Sequence, residues 1–292
     1  GGGAQYFLYR LLPYLMKNHQ CEVVSLSDDG LLGQKIRDLG VPVYALEMSR
    51  NPFALAPFLK LRRYLKASRP DIVHTWMYHS DLLGGFAARS LGIHGVVWAI
   101  HSPDVDERYI KLPTRIIARI CAILSARIPA SIVSCSQAAW ENHVRFGFKP
   151  RNITVVPNGF DVSTFRPNVD ARRKIRIEAG IAQDALVVGM VARFHEQKGH
   201  KDFLSAAGRL REKVPGIRIL LAVRDIDREN GRLMQWIEAA NLDSTVALMG
   251  PRNDVPDVLA ALDALASPSL GEAFPLIIGE TMACGVPCVA TK

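Results

Sequence analysis

The chain has 292 residues, 49% of them apolar and 22% charged, an ordinary globular balance that excludes disordered and coiled-coil classes. Its longest apolar stretches, Ala185–Ala192 among them, fall far short of the ~20 residues that span a bilayer. Net charge is +8, and residues 1–168 carry all of it, with 20 Lys and Arg against 12 Asp and Glu; residues 169–292 carry 16 of each. A basic first part points to an anionic ligand or anionic lipid. Nucleic acid is excluded as a partner, because the bases lie within apolar helical patterns rather than interleaved with exposed aromatics.

Taken in chain order, Gly1-Gly2-Gly3 precedes a helical pattern over Ala4–Lys17. Glycines ahead of a helix let backbone approach a phosphate, although an expression-tag remnant would read the same way. Strands follow at Glu22–Ser25 and Pro42–Leu46, then a helix at Pro57–Lys66, a strand at Ile72–His74 and a helix at Ser80–Leu91. Next come a strand at Val96–Ile100, a helix at Pro113–Ile128, a strand at Ser131–Ser134 and a helix at Gln137–Phe146. His101 and His74 each lie at a strand's carboxyl end, where parallel sheets bind ligands, but a lone histidine is more often structural. The stretch Val155–Asp161, with Phe165-Arg166-Pro167, holds Pro and Asn-Gly turn formers and no helix or strand period. It places a domain boundary near 166, giving domains 1–166 and 167–292.

Strands resume at Leu186–Val191, Ile217–Ala222, Val246–Met249, Ala264–Ala266 and Cys288–Ala290. Apolar strands alternating with helices argue for an α/β fold of two doubly wound, Rossmann-like domains with parallel sheets, facing a cleft. Arg193 and Lys198 sit on the loop after one strand, just before a helix starting near Gly199. Two cations beside helix-start amides suit a diphosphate, against the plain alternative of solvated surface charge. Farther on, Pro275 opens a helix running to about Cys284, with Glu272 in the loop ahead of it and Glu280 between one and two turns in. Free amides around Phe274 to Leu276 would suit sugar hydroxyls or phosphate oxygens. Paired acids also mark glycosidases, but the apolar face between these two fits binding better. The five cysteines form no C-x-x-C pair, and the eight histidines show no metal spacing, so no metal site is expected.

Together these elements resemble the retaining, nucleotide-sugar-dependent glycosyltransferases of family 4, which have the two-domain GT-B fold. The residues that carry the resemblance are Gly2-Gly3-Ala4-Gln5, Pro70–His74, His101-Ser102, Val156–Asp161 with Phe165, Arg193 with Lys198-Gly199, and Glu272–Glu280 followed by Thr281–Pro287. The resemblance implies that Arg193 and Lys198 hold the donor diphosphate and that Glu280 accepts hydrogen bonds from the ribose. It implies that Glu272, with amides around Phe274, Pro275 and Leu276, positions the donor sugar, with His101 beside the transferring sugar. Gly2 and Gly3 would approach the phosphate, and Gly250 and Arg252 would border the base. No metal or other cofactor is implied.

The resemblance also implies a glycan or lipid-linked acceptor handled by the first domain. Residues His74–Leu82 look like members from bacterial polysaccharide and lipopolysaccharide gene clusters. The bases Lys60, Arg62, Arg63, Lys66, Arg69, Arg115 and Arg119 then suit an anionic membrane surface, or simply cover the sheet, for a cytoplasmic enzyme peripheral on the membrane's inner face. One departure is Val223-Arg224-Asp225, where members of the family usually carry Gly-x-Gly near the nucleotide. Against the family pattern, the strand ahead of Gly1 and the final strand–helix units after Lys292 are missing, so the chain reads as a piece of a longer one. A nucleotide-sugar epimerase of the same fold and a non-catalytic sugar-nucleotide-binding homologue are the alternative readings.

Overall fold

The computed structural model describes residues 3–30, 32–48, 55–102, 110–149 and 152–291. They form two compact units, Gly1–Asn158 and Gly159–Lys292. In the first unit the elements are α1 (Gly3–Leu15), β1 (Val23–Ser25), α2 (Gly33–Asp38), β2 (Val43–Ala45), α3 (Leu55–Ser68), β3 (Ile72–Trp76) and α4 (Tyr78–Arg89). They continue as β4 (Gly95–Ile100), α5 (Leu112–Leu124), β5 (Ser131–Ser134), α6 (Gln137–Phe146) and β6 (Ile153–Val155). All pairing is parallel: β1 with β2, and β3-β4-β5-β6 in that order. Strand β4 lies inside the larger sheet, and its Val96 and Trp98 are fully buried. Right-handed crossovers between neighbouring parallel strands put α4, α5 and α6 on one face, and α3 packs beside α4.

The second unit holds α7 (Val169–Glu178), β7 (Val187–Val191), α8 (His200–Lys213), β8 (Arg218–Ala222), α9 (Gly231–Ala239), β9 (Val246–Leu248), α10 (Val255–Ala260), β10 (Ala264–Ser267), α11 (Leu276–Ala283) and β11 (Cys288–Ala290). A single 3-10 turn, Glu196–Lys198, sits between β7 and α8. The sheet order is β11-β10-β7-β8-β9, all parallel. Period-two alternation sends Leu220 and Ala222 into one core with Val187, Val191 and Leu262, and Ile219 and Leu221 into another with Met190, Leu204 and Ile237. Both faces of this sheet are therefore apolar, which is why its strands read as continuous hydrophobic runs. Side-chain caps start three helices: the oxygens of Ser136, Asn168 and Asn230 accept from the amides of Ala139, Ala171 and Leu233.

Of the stretch read as irregular, Val155–Asp161, only Val155 enters regular structure: Ile153–Val155 is a strand, β6, paired in parallel with Ile132–Ser134 of β5. The division falls at Asn158/Gly159, ahead of 166, because Phe165 is buried in the second unit's core, and Phe160 packs there on Phe274. Strand β3 also continues past His74 to Trp76, since Thr75 and Trp76 pair with Trp98 and Ala99. No helix among the described residues is long and apolar enough to cross a membrane.

Candidate functional site

The sequence-predicted residues gather in two places, one in each unit. In the second unit, β7 ends and the chain passes through Ala192 and the exposed Arg193 into the 3-10 turn. Gly199 closes that turn at φ 72° and lies so near the loop after β10 that a Cβ would stand 2.3 Å from the Pro268 carbonyl oxygen. This close approach needs glycine twice over, for its dihedral and for its missing side chain. The turn and the loop are then laced together. The Leu270 amide donates to the Gln197 carbonyl at 2.8 Å, and the Gln197 side-chain amide donates to the Gly271 carbonyl at 3.0 Å. Between them, Lys198 Nζ forms an ion pair with Glu272 Oε1, both side chains about three-quarters buried.

The loop leads into α11, with Pro275 at the N-cap rather than in the first turn. The Phe160 ring stacks on Phe274 at 5.9 Å and lies over Gly279, where an added Cβ would meet the ring at 2.0 Å. Phe274 is thereby held at the helix start, beside Leu276. Glu280, one turn inside α11, is buried at 6% exposure. Lys198, Glu272, Phe274, Pro275, Leu276 and Glu280 thus belong to one loop–helix assembly. The Arg193 guanidinium forms no ion pair among the described residues.

Arg252 is placed differently. Its guanidinium donates to Asp254 through Nε (2.7 Å) and Nη2 (2.6 Å), and both terminal nitrogens reach Glu178. The two carboxylates raise its pKa further, so its charge is spent inside the protein. Nearby, the Val223 amide donates to the Gly250 carbonyl at 2.8 Å and the Phe194 amide to the Arg224 carbonyl at 3.3 Å, which ties together the loops at the carboxyl ends of β7, β8 and β9. Val223 has φ 99° and Asp225 φ 62°, so the backbone at the departure from Gly-x-Gly keeps a glycine-like path without glycine.

In the first unit, His101 follows β4 and stacks on Trp76 of β3, ring centroids 4.5 Å apart and planes 6° from parallel. Phe7 of α1 tilts against both rings, at 5.7 Å from His101 and 6.1 Å from Trp76, and His74 lies 5.0 Å from Trp76. Burial, with the neighbouring His74 charge, lowers the His101 pKa to about 4, so its imidazole is neutral at ordinary pH. Gly3 is the first residue of α1, which brings that helix's start within a turn of Phe7 and the His101 cluster; Gly2 lies outside the described residues. Trp76 and Phe160 enter the sequence reading only inside stretches that carry the resemblance, and neither they nor Gln197 are singled out there as site residues. Trp76 also stands two residues from His74 on the same strand face, whereas no local pattern marks the roles of Phe160 and Gln197. Among the described residues no group of three or more His, Cys, Asp or Glu is placed to hold a metal.

Two family models match the chain: Glycosyltransferase Family 4 over residues 1–164 and Glycosyl transferases group 1 over residues 185–292. A UDP-Gal:alpha-D-GlcNAc-diphosphoundecaprenol alpha-1,3-galactosyltransferase of Escherichia coli is 29% identical over 80% of this chain, which spans 61% of that protein. The N,N'-diacetylbacillosaminyl-diphospho-undecaprenol alpha-1,3-N-acetylgalactosaminyltransferase of Campylobacter jejuni is 27% identical over 99% of this chain and 78% of its own length. Among solved structures, Anabaena Alr3699/HepE in complex with UDP-glucose superposes with a TM-score of 0.84 at 24% identity, over 100% of this chain and 78% of that one.

Proposed function

The chain belongs to glycosyltransferase family 4 and has the α/β GT-B fold, and on that premise we propose that it moves a sugar, with retention, from a nucleotide-sugar donor to a lipid-linked glycan acceptor. The observation that carries this reading is the Lys198–Glu272 pair, in the turn and loop that Gln197 and Gly199 hold together ahead of α11. A cation and a carboxylate fixed side by side suit a ligand that is anionic at one end and hydroxylated at the other. Lys198 and Arg193 donate to the diphosphate and neutralise charge on the departing nucleotide. Glu272 accepts from the donor sugar's hydroxyls, with the amides of Phe274 and Leu276 beside it, and Glu280 accepts from the ribose.

In the transfer, the bond from the sugar's anomeric carbon to the phosphate oxygen breaks while the acceptor oxygen bonds to that carbon on the same face. The acceptor proton passes to the departing phosphate. The residues therefore position and neutralise rather than attack. A neutral His101 serves a sugar as a hydrogen-bonding group that brings no charge. Arg252 braces the Gly250 loop at the base through Glu178 and Asp254 instead of spending its charge on the ligand. Undecaprenyl-diphosphate acceptors are named for the Escherichia coli and Campylobacter jejuni relatives, which supports a lipid-linked acceptor and work on the inner face of a membrane.

A panel of nucleotide sugars, assayed for donor hydrolysis and for transfer to undecaprenyl-diphosphate saccharides, tests the reading. Nucleotide affinity left unchanged by both Lys198→Ala and Glu280→Gln would remove the site assignment.

A further inference from the structure

We infer that His200 is a positioning residue for Arg193: its ring fixes the peptide group that leads into Arg193 and so aims the guanidinium that meets the donor's diphosphate. This rests on the diphosphate reading of Arg193 and adds to it what holds the arginine in place. A peptide group is planar, so a residue's φ and ψ are set once the planes on either side of its Cα are held. The plane after Arg193 is held by backbone, since the Phe194 amide donates to the Arg224 carbonyl at 3.3 Å. The plane before it is held by a side chain, since the Ala192 carbonyl accepts from His200 Nε2 at 3.2 Å. Arg193 is exposed and forms no ion pair among the described residues, so its direction comes from its backbone.

Local sequence brings His200 to this place. Gly199 closes the 3-10 turn at φ 72°, and His200 follows as the first residue of α8, 2% exposed, with its ring back against the end of β7. The Phe194 ring tilts against the imidazole at 5.3 Å and against Trp236 of α9 at 5.4 Å, so both neighbours of Arg193 touch the same histidine. Arg232, one turn before Trp236, lies over the indole at 4.9 Å and donates to Glu196 at 3.1 Å, which ties α9 to the 3-10 turn. The proton's place on the imidazole follows from its partner. A carbonyl only accepts, so Nε2 carries the hydrogen, and Nδ1 is left as a buried lone pair with no hydrogen-bond partner among the described residues. Burial, with the Lys198 charge beside it, lowers the ring's pKa to about 4, so no third cation stands next to Arg193 and Lys198 at ordinary pH. An apolar side chain of similar size would fill the space without an unmet acceptor. What the imidazole alone supplies is the bond to Ala192.

Donor turnover and hydrogen exchange of the donor-free protein, measured on the same variants, provide the test. His200→Leu, which keeps bulk but no donor, is expected to lower kcat about 10–100-fold per folded molecule, as a misplaced group does, with the donor KM changed far less. The split follows because Arg193 acts most on charge that develops as the nucleotide departs. His200→Gln sets an amide nitrogen near the place of Nε2 and is expected to restore most of the rate; His200→Asn, whose amide falls short, is not. In the donor-free protein, amides of residues 193–198 are expected to exchange faster in His200→Leu and at the parent's rate in His200→Gln. Near-UV circular dichroism gives the folded fraction, and Gln against Asn repeats the comparison between two polar side chains should leucine unfold the unit. A parental kcat in His200→Leu, equal losses in the leucine and glutamine variants, a loss confined to KM, or loop exchange indifferent to both changes would overturn the inference. A parent that turns over no nucleotide sugar, while the two variants still differ in loop exchange, would instead count against the catalytic reading alone.

Discussion

His101 shows how a single side chain's surroundings set its chemistry. The stacked Trp76 ring and the Phe7 edge exclude water from the imidazole, and His74 adds an unfavourable charge, so the proton leaves at about pH 4 instead of near the usual ~6.5. The folded value lies below the unfolded one, so stability linked to this group is present above roughly pH 6.5 and is lost as pH falls toward 4. Proton NMR should find the His101 ring neutral at pH 5.5 (roughly one unit below the usual value). Trp76→Leu should raise its midpoint toward the ordinary value by admitting water, while Trp76→Phe should hold it low; a midpoint unmoved by Trp76→Leu would mean that stacking is not the cause. In the other unit, Lys198→Ala should lower transfer by about 10²–10³-fold, as loss of one charged donor to a developing anion does. Glu272→Gln, which keeps the shape but not the ion pair, should act mainly on the donor's KM.

At the scale of elements, the second site depends on close approaches that only glycine permits. Gly279→Ala would drive a methyl into the Phe160 ring, displacing it from α11 and from Phe274. Donor affinity should fall in Gly279→Ala and in Phe160→Ala, and the double variant should lose far less than the sum, because both changes free the same ring; additive losses would show that the two positions act separately. Strain is stored at Met77, the N-cap of α4, which sits at φ 75° and ψ 152°, a region nearly reserved for glycine. Met77→Gly should therefore stabilise the chain by about 1 kcal/mol in denaturant titration, relief of strain outweighing the added chain entropy. These details mark the limit of what sequence shows. The alternation of apolar strands and helices announces parallel sheets, whereas Arg193, Lys198, Glu272 and Glu280 stand out from ordinary surface charge only through the family resemblance. Strand β6 stays hidden because three residues beside Pro157 and Asn158 cannot establish a period, and their pairing with β5 is a long-range fact. The stack of Trp76 on His101 is hidden for the same reason, since it joins two strands 25 residues apart in the chain. Arg252, by contrast, is set beside the base by the resemblance and is claimed in the structure by its near neighbour Asp254 and by Glu178, a partner far off in the chain that no local pattern foretells.

Across the whole molecule, the two units carry separate cores, and one buried cation governs the second. Arg176 is fully buried, yet each part of its guanidinium is used: Nε donates to the Ala261 carbonyl at 3.1 Å, Nη1 to those of Gln183 and Ala185 at 2.8 Å, and Nη2 to Asp263 at 2.8 Å. Burial pushes the Asp263 carboxyl up, but the Val187 amide and the guanidiniums of Arg172 and Arg176 outweigh it and hold the group below its usual range. This joins α7 to the chain entering β7 and to the start of β10, so that loosening it should undo the unit rather than one helix. Removing one partner of a buried, hydrogen-bonded pair costs about 3–5 kcal/mol. Arg176→Met should therefore lower the second unit's melting transition by roughly 10 °C or more, at about 3–5 °C per kcal/mol for a unit of this size. Arg172→Met, at a side chain 31% exposed, should cost about 1 kcal/mol because Arg176 and Val187 still hold the carboxylate. Scanning calorimetry should show the first unit's transition unmoved in both variants. The Asp263 contribution, present above about pH 4, should vanish as pH falls through its lowered folded value. The deficit of Arg176→Met relative to the parent should therefore shrink in acid, and a deficit that stays constant from neutral pH into acid far enough to protonate the carboxylate would mean that the carbonyl hydrogen bonds, and not the ion pair, hold the unit together.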